Sequence, residues 1–220
     1  MLQYVSNMRK QASPVAALVS GGLDSAVLVS ILLKRYPKVQ PIYVQQGCRW
    51  ESAERYWLSR WLRHWPRKQV LPLMTLVIPV SDLYGHHWSL NGKAVPKRSD
   101  PDEAVYLPGR NLMLLSKAAI YCALHDIPRL AVGTLKGNPF SDAKPQFWCA
   151  MEQSFQKGLG VRVKILAPLA KWSKAEVIKR GRQLPLEETF SCIDPKGKQP
   201  CGICQKCQER RKGFEIAESR

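Results

Sequence analysis

The sequence predicts an α/β protein, a doubly wound parallel sheet of five strands followed by a small four-cysteine element. Three observations predict it. Short apolar runs alternate with longer helical patterns from Val15 to Gln183, and that alternation builds parallel sheets covered on both faces. The first run leaves through a glycine pair into an apolar helix, in "LVSGGLDSAVLVSILL" at residues 18–33. Four of the seven cysteines fall between 192 and 207.

"VAALVS" (15–20) and "VQPIYV" (39–44) carry no polar alternation, as expected of strands buried on both faces. A helix from about Asp24 to Arg35 joins them, so the three form a right-handed βαβ unit. "ESAERYWLSRWLRHW" (51–65) reads as a helix with Trp57, Leu58, Trp61, Leu62 and Trp65 on one face, and Arg60, Arg63 and Arg67 lie on another. The tryptophan stripe could stack bases, but at helical spacing it belongs to a core or a dimer face. "LMTLVIPV" (73–80) is a third strand. From Ser81 to Pro108 periodicity fails, which predicts a long loop of the kind that is functional or mobile. Helix 111–126, strand 129–134, helix 144–158 and strand 163–168 continue the alternation. A helix over 173–183 opens with the Ser173/Glu176 pattern of a capping box. Residues 1–184 form the expected nucleotide-binding domain and 185–220 the cysteine element.

At 220 residues and 25.0 kDa the chain can bury one substantial core. Its net charge of +17 is unusual, and residues 1–70 hold eleven Lys/Arg against three acids. Such a surplus suits anionic ligands or nucleic acid. The opening "MLQYVSNMRKQASP" has no apolar signal-peptide core, and no run reaches the ~20 apolar residues of a membrane span. A cytoplasmic protein with reduced cysteines is expected.

A turn that runs from a strand through two glycines into a helix is an anion site in waiting. Bare backbone approaches the ligand closely, glycine tolerates positive φ, and the helix N-terminus supplies free N–H groups. Ser20 and Ser25 add hydroxyls, and Asp24 can cap the helix or hold Mg²⁺ through water. No Gly-Lys-Ser/Thr closes the turn, so it is not a Walker loop. The tail, "SCIDPKGKQPCGICQKCQERRKGF", spaces Cys192, Cys201, Cys204 and Cys207 as C-x₈-C-x₂-C-x₂-C. Four thiolates so spaced can close a zinc tetrahedron, and spacing alone leaves an iron–sulfur cluster open. Cys48 lies beyond the second strand as a candidate thiol, while Cys122 and Cys149 read as core or helix-face residues.

"SGGLDS" resembles the pyrophosphate loop of the ATP-pyrophosphatase superfamily. Joined to this tail it resembles the 7-cyano-7-deazaguanine synthase family. "QQGCRWESAE" (45–54), "YLPGRNLMLLSKA" (106–118), "SDAKPQF" (141–147), "APLAKWSKAEVIKRG" and "PCGICQKC" are similar to family segments in the same order, from about Val15 to Phe214. The resemblance implies an ATP-dependent ligase joining ammonia to 7-carboxy-7-deazaguanine, first as an amide and then as a nitrile, with release of AMP and pyrophosphate. It implies that Ser20, Gly21, Gly22, Leu23, Asp24 and Ser25 hold ATP and Mg²⁺, with Asp24, Ser25 and Arg110 catalytic. Arg49, Arg110, Asn111 and Asp142 are the implied substrate contacts, the four cysteines hold structural zinc, and a homodimer is expected. Two segments depart from the family. Gln45-Gln46-Gly47-Cys48-Arg49 replaces Asp-Tyr-Gly-Gln-Arg, and Asp142-Ala143-Lys144-Pro145-Gln146 replaces Asp-Cys-Arg-Pro-Glu. A sibling ligase that stops at the amide or conjugates a protein, or a tRNA-modifying enzyme, therefore stands as the alternative.

Overall fold

The computed structural model describes residues 13–219. Its centre is a parallel sheet of β1 (Val15–Leu18), β2 (Val39–Gln45), β3 (Met74–Val77), β4 (Arg129–Ala131) and β5 (Lys164–Leu166), in the order β3-β2-β1-β4-β5. β1 is flanked on both sides, with Ala16 in register with Gln40 of β2 and Leu130 of β4. Successive side chains of a strand face opposite ways, and the two cores divide accordingly. Val15 and Ala17 join one apolar cluster with α1 (Leu23–Leu33), α2 (Glu51–Leu62) and α7 (Lys174–Arg180). Ala16 joins the other with α5 (Arg110–Leu124) and α6 (Pro145–Leu159). This is the doubly wound sheet that the alternation predicts.

The strand order reverses at β1. β2 and β3 build outward on one side, while β4 and β5 build on the other. The connections leaving β1 and β4 therefore diverge, and a crevice opens at their C-terminal ends. β1 stops before the expected Ser20 because the Ser25 hydroxyl accepts the Ser20 N–H at 3.0 Å, which curls the chain into the turn. The capping box forms as read: Glu176 N–H donates to the Ser173 hydroxyl, and the Glu176 carboxylate accepts from the Ser173 backbone. On α2, Leu58 and Trp61 are buried in the core, and the Trp57 indole N–H donates to the Lys198 carbonyl at 2.7 Å. The tryptophan stripe is thus a packing face.

The segment 81–108 is more ordered than a long loop. It holds two single turns, α3 (Ser81–Tyr84) and α4 (Trp88–Asn91), and a 3₁₀ turn at Asp102–Val105. Trp88 stacks on Trp50 with ring centroids 5.6 Å apart, and Pro96 accepts the Gln205 N–H at 3.2 Å. These tertiary contacts have no periodic signature. The tail ends in α8 (Gln205–Glu218), which lies against α7 at Gly213. A Cβ there would come within 2.6 Å of Lys174 Cγ, so the two helices approach as closely as only glycine permits.

Candidate active site

The turn after β1 is shaped by its neighbours. Gly21 has φ +77, and a Cβ on it would stand 2.9 Å from Leu58 Cβ and 3.0 Å from the Glu54 carbonyl of α2. Gly22 differs from the expectation. It is the N-cap of α1 with φ −76, in extended backbone open to any residue, and its lack of Cβ leaves room beside Ser20 and Phe190 instead. Asp24 does not cap the helix either, because α1 has no side-chain cap. Its first-turn N–H groups are left facing the turn. Leu23 is buried at the helix start, and the Ser20 and Ser25 hydroxyls lie 3.3 Å apart.

Two cavities open on this turn. One, of about 290 Å³, lies between the turn and the tail, with Lys174, Lys206, Glu209 and Arg210 on its far wall. The other, of about 270 Å³, lies over the sheet between β1 and β4, against Tyr43, Asn111, Gly133 and Asn138. Ser20, Asp24, Glu54 and Arg110 line both. An anion held at the turn and an acceptor over the sheet would therefore meet at these four residues.

The charges of the first cavity are interlocked. Lys174 Nζ lies 2.6 Å from Asp24 Oδ2 and 3.1 Å from Glu209 Oε1, and Lys206 Nζ lies 2.7 Å from Glu209 Oε2. Burial works against the Glu209 charge, but the two lysines outweigh it and hold the carboxyl down at about 2. Burial likewise opposes the Lys174 charge, and Asp24 and Glu209 more than restore it. The other Asp24 oxygen is buried and has no hydrogen-bond partner, so the residue keeps one atom for a cation.

At the shared wall, Tyr43 OH donates to Glu54 Oε2 at 2.9 Å. Burial pushes the Glu54 carboxyl up, Arg110 and the tyrosine pull it back, and it rests at about 7. Burial with the neighbouring Glu54 pushes the Tyr43 hydroxyl well above its ordinary value. Arg110 opens α5, its Nε donates to Gln46 Oε1 at 3.0 Å, and its guanidinium lies over the Trp50 ring.

Asn111 and Asp142 come together. Asp142 is 7% exposed and takes the Asn111 backbone N–H at 3.2 Å and its side-chain amide at 3.1 Å, so it caps the start of α5 from outside. Arg49 stands apart from both cavities. It lies 2.5 Å from Asp194 and reaches the Gly92 carbonyl, tying the 81–108 segment to the tail. Cys48 is buried beside Arg110, and burial pushes its thiol up to about 12, too high for a nucleophile at neutral pH.

Cys192, Cys201, Cys204 and Cys207 place their sulfurs within 4.8 Å of one another. Three of the sulfur–sulfur separations, 3.6 Å, 3.8 Å and 4.0 Å, match the roughly 3.8 Å edge of a tetrahedron with metal–sulfur bonds of about 2.3 Å. All four are free thiols. Backbone N–H groups of Asp194, Cys201 and Cys204 donate to these sulfurs at 3.3 Å, the support that thiolate ligands require. This is a four-cysteine metal site.

Glu54, Lys174, Lys206, Glu209 and Arg210 are absent from the candidates drawn from the sequence. Glu54, Lys174 and Lys206 lie in segments similar to the family without a role attached to them, and Glu209 and Arg210 lie in the polar tail beyond the last cysteine. Only the rule that ligands bind beyond the strand ends pointed to Glu54, which follows β2.

Comparison with known proteins agrees with this arrangement. The family described as "Queuosine biosynthesis protein QueC" matches residues 15–218. A 7-cyano-7-deazaguanine synthase 1 from Desulfitobacterium hafniense is 32% identical over 93% of this chain and 92% of its own. The 7-cyano-7-deazaguanine synthase of Rhodopirellula baltica is 31% identical over 96% and 92%. Among solved structures, a 4-thiouridine synthetase in complex with RNA and bound ATP superimposes with a TM-score of 0.52 at 16% identity. That match covers 94% of this chain and 53% of the other, and it shows a shared fold. No helix among the described residues is long and apolar enough to cross a membrane. A glycine turn at the strand switch point, a four-cysteine metal site beside it and family similarity across nearly the whole chain converge, and the protein belongs to the QueC family of queuosine biosynthesis enzymes.

Proposed function

We propose that the protein converts 7-carboxy-7-deazaguanine and ammonia to 7-cyano-7-deazaguanine at the expense of ATP. The observation that carries this reading is the pair of cavities joined at Ser20, Asp24, Glu54 and Arg110. ATP phosphates would lie on the N–H groups of Gly22, Leu23 and Asp24, with the Ser20 and Ser25 hydroxyls beside them. Lys174, Lys206 and Arg210 face them from the tail side and can hold the departing pyrophosphate. The unpartnered Asp24 oxygen fits a Mg²⁺ ligand; that ion would spread phosphate charge.

Arg110 stands where the α-phosphate and the acceptor carboxylate must approach. It can neutralise both anions and stabilise the charge that builds as the carboxylate attacks and pyrophosphate leaves. Ammonia then displaces AMP from the acyl adenylate to give the amide. A second ATP activates the amide oxygen, and loss of AMP leaves the nitrile. Asp142 keeps free lone pairs beyond its bonds to Asn111, which suit adjacent N–H donors of a guanine-like edge. The four cysteines would hold zinc with a structural role, since a closed thiolate tetrahedron has no position for water.

Incubation with ATP, Mg²⁺, ammonium and 7-carboxy-7-deazaguanine, followed by mass spectrometry, tests the reading. AMP and pyrophosphate should rise in step as the base passes through amide to nitrile. Accumulation of amide alone would show that the altered Gln45–Arg49 and Asp142–Gln146 segments have truncated the reaction. AMP formed only on adding tRNA or a protein would overturn the acceptor.

A further inference from the structure

Turning ammonia into a nitrile removes every proton from one nitrogen. Amide formation makes a C–N bond, breaks the bond to AMP and sheds one proton. Nitrile formation breaks the second bond to AMP and sheds the remaining two. A proton acceptor must stand beside that nitrogen throughout.

Resting on the ligase reading, we propose that Glu54 is this acceptor, the general base that takes the proton of the attacking ammonia in amide formation and the two amide protons in nitrile formation, one at a time, passing each to solvent before the next. Glu54 lies on the wall common to the phosphate cavity and the sheet cavity, where the activated acyl carbon must sit. Its backbone carbonyl lies 3.0 Å from the site of a Cβ on Gly21, so the helix that carries Glu54 packs directly against the glycine turn. Two carboxylates line both cavities. Asp24 is committed to Lys174, whereas Glu54 makes no ion pair among the described residues and is held by one neutral donor, Tyr43 OH at 2.9 Å. Tyr43 is its positioning residue, leaving the second carboxylate oxygen for the nitrogen.

The groups facing Glu54 set when it works. Tyr43 on β2, Cys48 after it, Glu51 on the same helix and Arg110 on α5 surround it, with Asp24 and Lys174 across the cavity. Burial raises its carboxyl and Arg110 tempers the rise, which leaves it at about 7. A base must be ionised, so its contribution grows as pH rises through that value and is lost below it.

The test separates activation from amination. Carboxylate-dependent ATP–pyrophosphate exchange reports the adenylate, and amide plus nitrile report the nitrogen steps. Glu54→Gln keeps the acceptor for Tyr43, so exchange should stay within about threefold of wild type while product formation falls by about 10²–10⁴-fold. Calculated per unionised ammonia, wild-type kcat/KM for amination should rise through about pH 7, and the variant should lose that inflection. Tyr43→Phe should keep exchange, displace the inflection and lower amination less than Glu54→Gln. Unchanged amination in Glu54→Gln, or equal loss of exchange and amination, would overturn the assignment while leaving the ligase reading intact. Wild-type protein without carboxylate-dependent exchange would overturn the ligase reading, and the assignment with it.

Discussion

Gly21 and Gly22 are neighbours with different reasons to be glycine. Gly21 holds φ +77 under α2, where an added Cβ would stand 2.9 Å from Leu58 Cβ, so both torsion and space forbid a side chain. Gly21→Ala should destabilise the protein by about 2–4 kcal/mol, read as a lower denaturation midpoint. Gly22 has ordinary torsions, and a Cβ there would meet Ser20 Oγ at 3.3 Å and the Phe190 carbonyl at 3.4 Å, at the mouth of the phosphate cavity. Gly22→Val should therefore keep the fold and lose pyrophosphate release by at least about tenfold, because the branched side chain fills the space the phosphates need. A Gly22→Val protein that melts like wild type and still consumes ATP would place the phosphates elsewhere. Both glycines could be singled out in the sequence, but their different torsions could not, since those depend on α2 and the tail arriving from elsewhere in the chain.

At the scale of the element, α8 links the four-cysteine site to the cavity at the glycine turn. Cys204 and Cys207 bracket Lys206, and Glu209 and Arg210 follow on the next turn. The helix is held at its start by the four-cysteine cluster and along its length by α7 at Gly213. Arg210 is further anchored by the Thr189 hydroxyl and the Leu186 carbonyl, both 2.6 Å away. Removing a metal held by the four cysteines should free the first turn of α8 and with it the cavity's outer wall. Metal-depleted protein, or Cys201→Ser, should show a KM for ATP raised about tenfold or more along with reduced thermal stability. Lys206→Ala should raise the same KM with metal content unchanged, as elemental analysis would confirm. An unaltered KM for ATP in the depleted protein would mean that the cluster serves the fold alone.

For the whole molecule, the net charge of +17 bears on how substrates arrive. The proposed substrates, ATP and a carboxylated base, are anions, and a basic field would raise their encounter rate while added salt screens it. Raising ionic strength from about 0.05 M to about 0.5 M shortens the screening length from roughly 14 Å to roughly 4 Å. kcat/KM for ATP should then fall several-fold with kcat little changed. A salt-independent kcat/KM would remove steering as the use of this charge.

Much of this architecture could be read from the residues alone. Apolar runs of strand length alternating with helical ones specify the five-strand parallel sheet, because each element must bury a face at its own period. "SGGLDS" and the four cysteines announce an anion turn and a metal site, because both are built from residues close together in the chain. Arg110, Asn111 and Asp142 are singled out through their resemblance to family segments; Arg110 and Asn111 line the cavity over the sheet, while Asp142 lines neither cavity and reaches the site only through Asn111. What only the tertiary structure decided is who meets whom. It draws Arg49 away to Asp194, pairs Asp142 with Asn111, buries Cys48 beyond reactivity, and brings Glu54 to the wall between two cavities. It also carries Lys174 to Asp24, 150 residues distant in sequence. Such partnerships leave no periodic trace, since a charged side chain looks the same in a sequence whether it faces solvent or a carboxylate. Its neighbours, and hence its proton affinity and its reach, are set only when distant elements close around the C-terminal ends of the strands.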